Sequence, residues 1–154
     1  MSPATSSFGL IVVDANIVLR GLRSRNGASH RILRGMIEGE IAFALSPAVV
    51  LEYEDVLMRP GLLGDAPWIA PEEIGTLIDA LCALCVEVSP AFRFRPFLAD
   101  PKDDLYVECA LAAGARLIVS EDRHFRHPAL AAFGVEALTA PAFEALWRQS
   151  RSMS

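Results

Sequence analysis

The chain has 154 residues, 53% of them hydrophobic, a size and apolar content that suit one α/β domain with its own core over residues 1–154 and exclude a disordered chain. No apolar run approaches the roughly 20 residues that span a bilayer, and the N-terminal MSPATSSFG lacks the positive region of a signal peptide, so a cytoplasmic protein with no membrane association is expected. Fourteen Lys and Arg against 19 Asp and Glu give a net charge of −5, which disfavours a polyanionic partner unless bound cations reverse the sign locally.

In chain order, LIVV at 10–13 is a continuous apolar run ending at Asp14, the pattern of a strand buried on both faces of a parallel sheet. ANIVLRGLRS then reads as a short helix, and the break at Ser24-Arg25-Asn26-Gly27 separates it from ASHRILRGMIEGE. In that second segment Ile32, Leu33, Met36 and Ile37 form a helical apolar stripe, opposite Arg31, Arg34 and Glu38. IAFAL at 41–45 is another buried-strand candidate. Ser46-Pro47 supplies an N-cap hydroxyl and a proline at the first helical position, for a helix to about Met58.

Arg59-Pro60-Gly61 ends that helix, and a loop leads to a helix over roughly 72–85 and a short strand near 86–88. Asp100-Pro101 opens a helix through about Ala113, Gly114 stops it, and ARLIVS at 115–120 is a third buried strand. RHFRHP reads as a loop, followed by a weak strand near Val135 and a helix capped by Thr139. The alternation predicts a three-layer α/β/α fold with a mainly parallel central sheet and right-handed crossovers. No internal repeat or linker interrupts it.

Cys82, Cys85 and Cys109 are odd in number and expected as free thiols. Cys82 and Cys85 form a C-x-x-C, but with no second ligand pair nearby a core-facing helix accounts for them better than zinc or redox chemistry. His30, His124 and His127 form no nucleophilic set and default to the surface. No dinucleotide, P-loop or nucleophile-elbow motif is present.

The chemistry lies in the acids. Asp14 and Asp122 both follow buried strands, at the sheet edge where ligands of open parallel sheets collect. Glu52 lies about one and a half turns into the helix capped by Ser46, and Asp103 in the first turn of the helix from Asp100. Four carboxylates brought together repel, and hard oxygen donors suit Mg²⁺ or Mn²⁺, which activate water and polarise a phosphoryl group. Each acid also has a plainer reading: Asp14 as a helix cap, Glu52 as a solvated face with Glu54 and Asp55, Asp103 and Asp104 as helix-dipole acids, Asp122 as a turn residue. Asn16 and Ser120 sit at the same edge, either as supporting groups or as caps. Arg20, Arg23, Arg25, Arg31 and Arg34, with Arg93 and Arg95, are candidates for phosphate contacts or for solvated faces.

The set VVDANIVLRGL, LSPAVVLEYEDVL, DPKDDLYVECALAAGARLIVSEDRHF and GVEALTAPAFEAL resembles the PIN-domain family over nearly the whole chain, especially VapC-like toxins of bacterial type II toxin-antitoxin pairs. D-x-N after a strand, S-x5-E on a helix, D-x2-DD before an Ala-rich helix and a strand ending in S-x-D are specific in combination. The resemblance implies an acidic quartet of Asp14, Glu52, Asp103 and Asp122, supported by Asn16 and Ser120. It also implies Mg²⁺- or Mn²⁺-dependent endoribonuclease activity on RNA, a homodimer and a cognate antitoxin at the acidic groove. The D-P-x-D pattern prefers Asp103 over Asp104. The sequence departs from the family after Asp122, where many relatives carry a further acid two residues on and this chain has His124. Two other classes remain. One is a noncatalytic RNA-binding or protein-interaction module on the same fold; the other is a haloacid-dehalogenase-like phosphohydrolase, disfavoured because Asn16 stands where D-x-D needs an acid.

Overall fold

A computed structural model describes residues 8–63, 69–90 and 101–152. Among the described residues five short strands, β1 (Ile11–Val13), β2 (Ala44–Leu45), β3 (Val86–Glu87), β4 (Leu117–Val119) and β5 (Glu136–Leu138), are all paired in parallel. β1, β4 and β5 form one ladder in that order, and β2 pairs with β3. An Ile11–Phe43 bridge and the Ile11 N–H donating to the Ala42 carbonyl at 3.2 Å join the two ladders, so the strands run β3-β2-β1-β4-β5. The helices are α1 (Ala15–Arg23), α2 (Ala28–Ile37), α3 (Pro47–Leu57), α4 (Ile74–Leu84), α5 (Pro101–Ala113), α6 (Ala129–Ala132) and α7 (Ala140–Ser152). The sheet and its helices form the three-layer α/β/α arrangement.

This order decides where a ligand can sit. The chain leaves β1 toward β2 and β3 on one side and returns to place β4 and β5 on the other, so strand order reverses between β1 and β4. Helices diverge at such a reversal and leave a crevice beyond the carboxyl ends of the two strands. Ile11, Val12 and Val13 in β1, and Ile118 and Val119 in β4, are essentially inaccessible to solvent, as the apolar runs require. The edge strand β3 is exposed instead.

Local chemistry sets the helix ends. The Ser46 hydroxyl accepts the Val49 N–H at 3.2 Å with Pro47 at the first helical position, and Thr139 accepts the Ala142 N–H at 3.2 Å. On α2, Gly35 allows a close approach by α7: a Cβ there would lie 2.6 Å from Ile41 Cδ1 and 2.8 Å from Trp147 Cη2. Phe8 meets Phe143 of α7 edge to face at 5.1 Å.

Several expectations change. IAFAL contracts to Ala44–Leu45, and ARLIVS to Leu117–Val119 because the Ala115 N–H still closes the end of α5 on the Ala110 carbonyl at 2.8 Å. RHFRHP is not a plain loop: Arg123–Arg126 forms a 3-10 turn with Phe125 buried, and α6 follows. His30 is buried, its Nδ1 3.0 Å from the Gly21 carbonyl oxygen between α1 and α2. Cys82 is exposed and Cys85 half-buried, contrary to the core-facing expectation. Ile74, Leu77, Ile78 and Leu81 already fill the buried stripe of α4, and Cys82 falls one position round the helix from it. All three cysteines are free thiols. Among the described residues no helix is long and apolar enough to cross a membrane.

Candidate metal centre

Asp14 occupies the crevice at the end of β1, where its backbone N–H still donates to the Val119 carbonyl at 3.0 Å and its side chain begins α1. One carboxylate oxygen, Oδ1, accepts the Asn16 N–H at 3.1 Å, and the other, Oδ2, accepts the Ser120 hydroxyl at 2.7 Å. The Ser120 Oγ in turn accepts the Asp122 N–H at 3.0 Å, so one hydroxyl ties the end of β1 to the turn after β4. Burial pushes the Asp14 carboxyl up from its ordinary value; the Ser120 and Asn16 hydrogen bonds oppose this, the negative Asp122 adds to it, and Arg20 offsets part of it.

The turn after β4 carries the second acid. Asp122 Oδ1 accepts the His124 N–H at 2.9 Å, which starts the 3-10 turn and folds the imidazole back over the site. His124 Nδ1 then lies 3.2 Å from Asp103 Oδ2 on the first turn of α5 and 3.3 Å from Asp122 Oδ1. Asp103, Asp122 and His124 each offer a ligand atom within 4.8 Å of the others. Asp104 is as buried as Asp103 but lies outside this group, so the geometry separates two neighbours that the sequence leaves open.

Glu52 and Asp14 flank the group without joining its tight cluster. Glu52 is half-buried on α3, and its proximity shows at Tyr106: burial raises the phenol, and the charges of Asp14, Glu52 and Asp103 raise it further, against the opposing hydrogen bond from Ala15. Asp14, Glu52 and Asp103 thus all act on Tyr106, and Ser120 joins Asp14 to Asp122, whereas among the described residues the group whose ligand atoms come together is Asp103, Asp122 and His124. A divalent cation fits this donor set: two carboxylates from separate elements, an imidazole nitrogen, and two further acids nearby. The half-exposed Asp122 and the exposed His124 leave one side open for solvent and substrate.

Three contributors escaped the sequence reading. The only two tyrosines of the chain bracket β1: Tyr53 donates its hydroxyl hydrogen to the Val13 carbonyl at 2.5 Å, and the Tyr106 oxygen accepts the Ala15 N–H at 3.1 Å. Both fix the backbone on either side of Asp14. Tyr106 lies one turn beyond Asp103 on α5, a spacing that puts it on the same face and is the one available signal. Glu121 accepts the Ala140 N–H at 2.9 Å and pins the turn to α7. His124 is at the surface as expected, with its ring turned toward Asp103 and Asp122.

The arginines do not form one patch. Arg20 is exposed on α1 and close enough to act on Asp14; Arg23 lies about 13 Å along the axis from Asp14, and Arg25 beyond the helix. Arg31 is engaged by Glu144 and Arg34 by Glu38 at 3.0 Å. Asn16 is exposed on the first turn of α1, one turn before Arg20. Arg93, Arg95 and Asp100 lie outside the described residues.

A parallel sheet with acids at its strand-order reversal is the α/β architecture in which ligands sit beyond the strand ends, and here that place carries a group that could hold a cation. The family model for the PIN domain matches residues 10–124, and the chain belongs to the PIN-domain family. PIN domains are generally metal-dependent nucleases, and the acidic cluster fits a catalytic site of that kind. No curated protein matches the chain.

Proposed function

We propose that this protein is an endoribonuclease that hydrolyses RNA phosphodiester bonds with Mg²⁺ or Mn²⁺, and that it is the toxin of a toxin-antitoxin pair. The observation that carries the nuclease reading is the convergence of Asp103 and Asp122, linked through Ser120 to Asp14, at the crevice between β1 and β4. A divalent ion bound there supplies Lewis acidity toward a phosphoryl oxygen and lowers the pKa of water. Asp103 and Asp122 hold the ion, with Glu52 and Asp14 as the remaining acids. Ser120 occupies one oxygen of Asp14 and aims the carboxylate; Tyr53 and Tyr106 keep the backbone beneath it from shifting. Asn16 and Arg20 share an exposed face of α1 beside Asp14, suited to orienting a phosphate, with Arg23 and Arg25 farther along the same RNA path.

A cytoplasmic location, a homodimer and an antitoxin partner belong to the same proposal. Support for a protein partner comes from a groove of about 400 Å³ lined by Leu45, Pro47, Val50, Leu51, Cys82 and Cys85, with Leu51 64% exposed. The nuclease reading is tested by incubating a labelled RNA pool with purified protein in Mg²⁺, Mn²⁺ or EDTA, alongside Asp14→Asn. Cuts that need the metal and vanish in the variant are expected. Equal cutting by the variant would contradict the role of Asp14 in the site, and no cutting under either metal would leave a noncatalytic RNA-binding or protein-interaction module.

A further inference from the structure

We infer that His124 is a direct nitrogen ligand of the divalent ion held by Asp103 and Asp122, and that it biases this centre toward Mn²⁺ over Mg²⁺. The inference rests on the metal-dependent reading above and deepens it. Backbone geometry presents the ring: Asp122 Oδ1 holds the His124 N–H at 2.9 Å, and the turn places Nδ1 3.2 Å from Asp103 Oδ2 and 3.3 Å from Asp122 Oδ1. Donors bound at about 2.1 Å and subtending 90 to 109° lie about 3.0 to 3.4 Å apart, so these spacings are those of neighbouring ligands on one cation.

A surface imidazole serving only as an ion-pair partner needs one carboxylate. Here Nδ1 faces two, from elements 19 residues apart in the chain, Asp103 on α5 and Asp122 after β4. The donor set is therefore two oxygens and one nitrogen in place of oxygens alone. Mg²⁺ takes oxygen donors and sheds water reluctantly, whereas Mn²⁺, although it stands lowest of the transition ions in the general affinity order and also takes carboxylates, accepts an imidazole nitrogen more readily than Mg²⁺ does.

The test is pulsed electron paramagnetic resonance of the full-length protein loaded with Mn²⁺, for wild type and His124→Asp, with Mn²⁺ and Mg²⁺ affinities from competition titrations. The side chain is 44% exposed, so the substitution leaves the fold intact. A ¹⁴N coupling to bound Mn²⁺ in the wild type is expected, absent from a variant that still binds Mn²⁺, and the Mn²⁺-to-Mg²⁺ affinity ratio should fall about tenfold. Bound Mn²⁺ without nitrogen coupling in the wild type, or a coupling that persists in the variant, overturns the role of His124 while leaving the metal centre standing. No Mn²⁺ binding by the wild type overturns the metal-dependent reading itself.

Discussion

Asp14 and Glu144 are both buried carboxylates, and the protein treats them in opposite ways. Glu144 on α7 accepts the Arg31 guanidinium of α2 through both oxygens, 2.9 Å at Nη2, with Arg148 3.4 Å away; the Arg31 hydrogen bond holds its carboxyl below the ordinary value despite burial. Asp14 has a hydroxyl and a backbone N–H but no bonded cation; burial outweighs both and pushes its carboxyl up. The first charge is satisfied within the chain and fastens α7 to α2. The second is left short of counter-charge at the crevice, which is how a site built to take a cation from solution differs from one built for stability.

The largest expected effect follows from removing the unbalanced charge. Asp14→Asn should lower metal-dependent RNA cleavage by about two orders of magnitude or more, measured as single-turnover rate, while circular dichroism stays native. Next is the support beneath it. Tyr106→Phe leaves the buried Ala15 N–H without its acceptor and should cost about 1–3 kcal/mol in urea unfolding, with a smaller fall in kcat than in Asp14→Asn.

Breaking the balanced site should do the converse. Arg31→Ala lowers stability and leaves cleavage unchanged, which thermal unfolding and the RNA assay check together. Because Glu144 is held below its ordinary 4.5, its contribution is present above that pH and lost as pH falls through the folded value; Arg31→Ala should shrink this acid-side loss. Arg20→Ala is the smallest change: RNA affinity falls uniformly across sequences and the salt dependence drops by about one unit of slope.

The legibility of the molecule divides along physical lines. β1 and β4 are readable because strands buried on both faces must be apolar throughout, and the acids that follow them inherit their place from the strand ends. Ser46 and Thr139 are readable because capping is local. The hydrogen bonds of Tyr53 and Tyr106 are not: they join residues 40 and 91 positions apart, and periodicity shows only that each ring is buried. His124 is legible as the residue standing where relatives carry an acid, but its approach to Asp103 is not, because RHFRHP is polar enough to pass for a loop while its shape comes from a single carboxylate, Asp122, capping the turn. Asp103 and Asp104 both belong to a first helical turn, and only their contacts tell them apart. The Arg31–Glu144 pair spans 113 positions, so Arg31 was grouped with phosphate contacts although its fork is already engaged.

Thermal unfolding of wild type and Asp14→Asn, with and without Mn²⁺, tests the central contrast most directly. With Asp14 raised above its ordinary 3.8, its charged form is disfavoured in the fold, and apo wild type loses stability as pH rises from there through the folded value. At pH 7 without metal, Asp14→Asn should therefore melt above wild type, and Mn²⁺ should raise the wild type far more than the variant. A variant that melts lower without metal, or equal stabilisation of both proteins by Mn²⁺, would contradict the claim that this carboxylate is kept unbalanced for a cation.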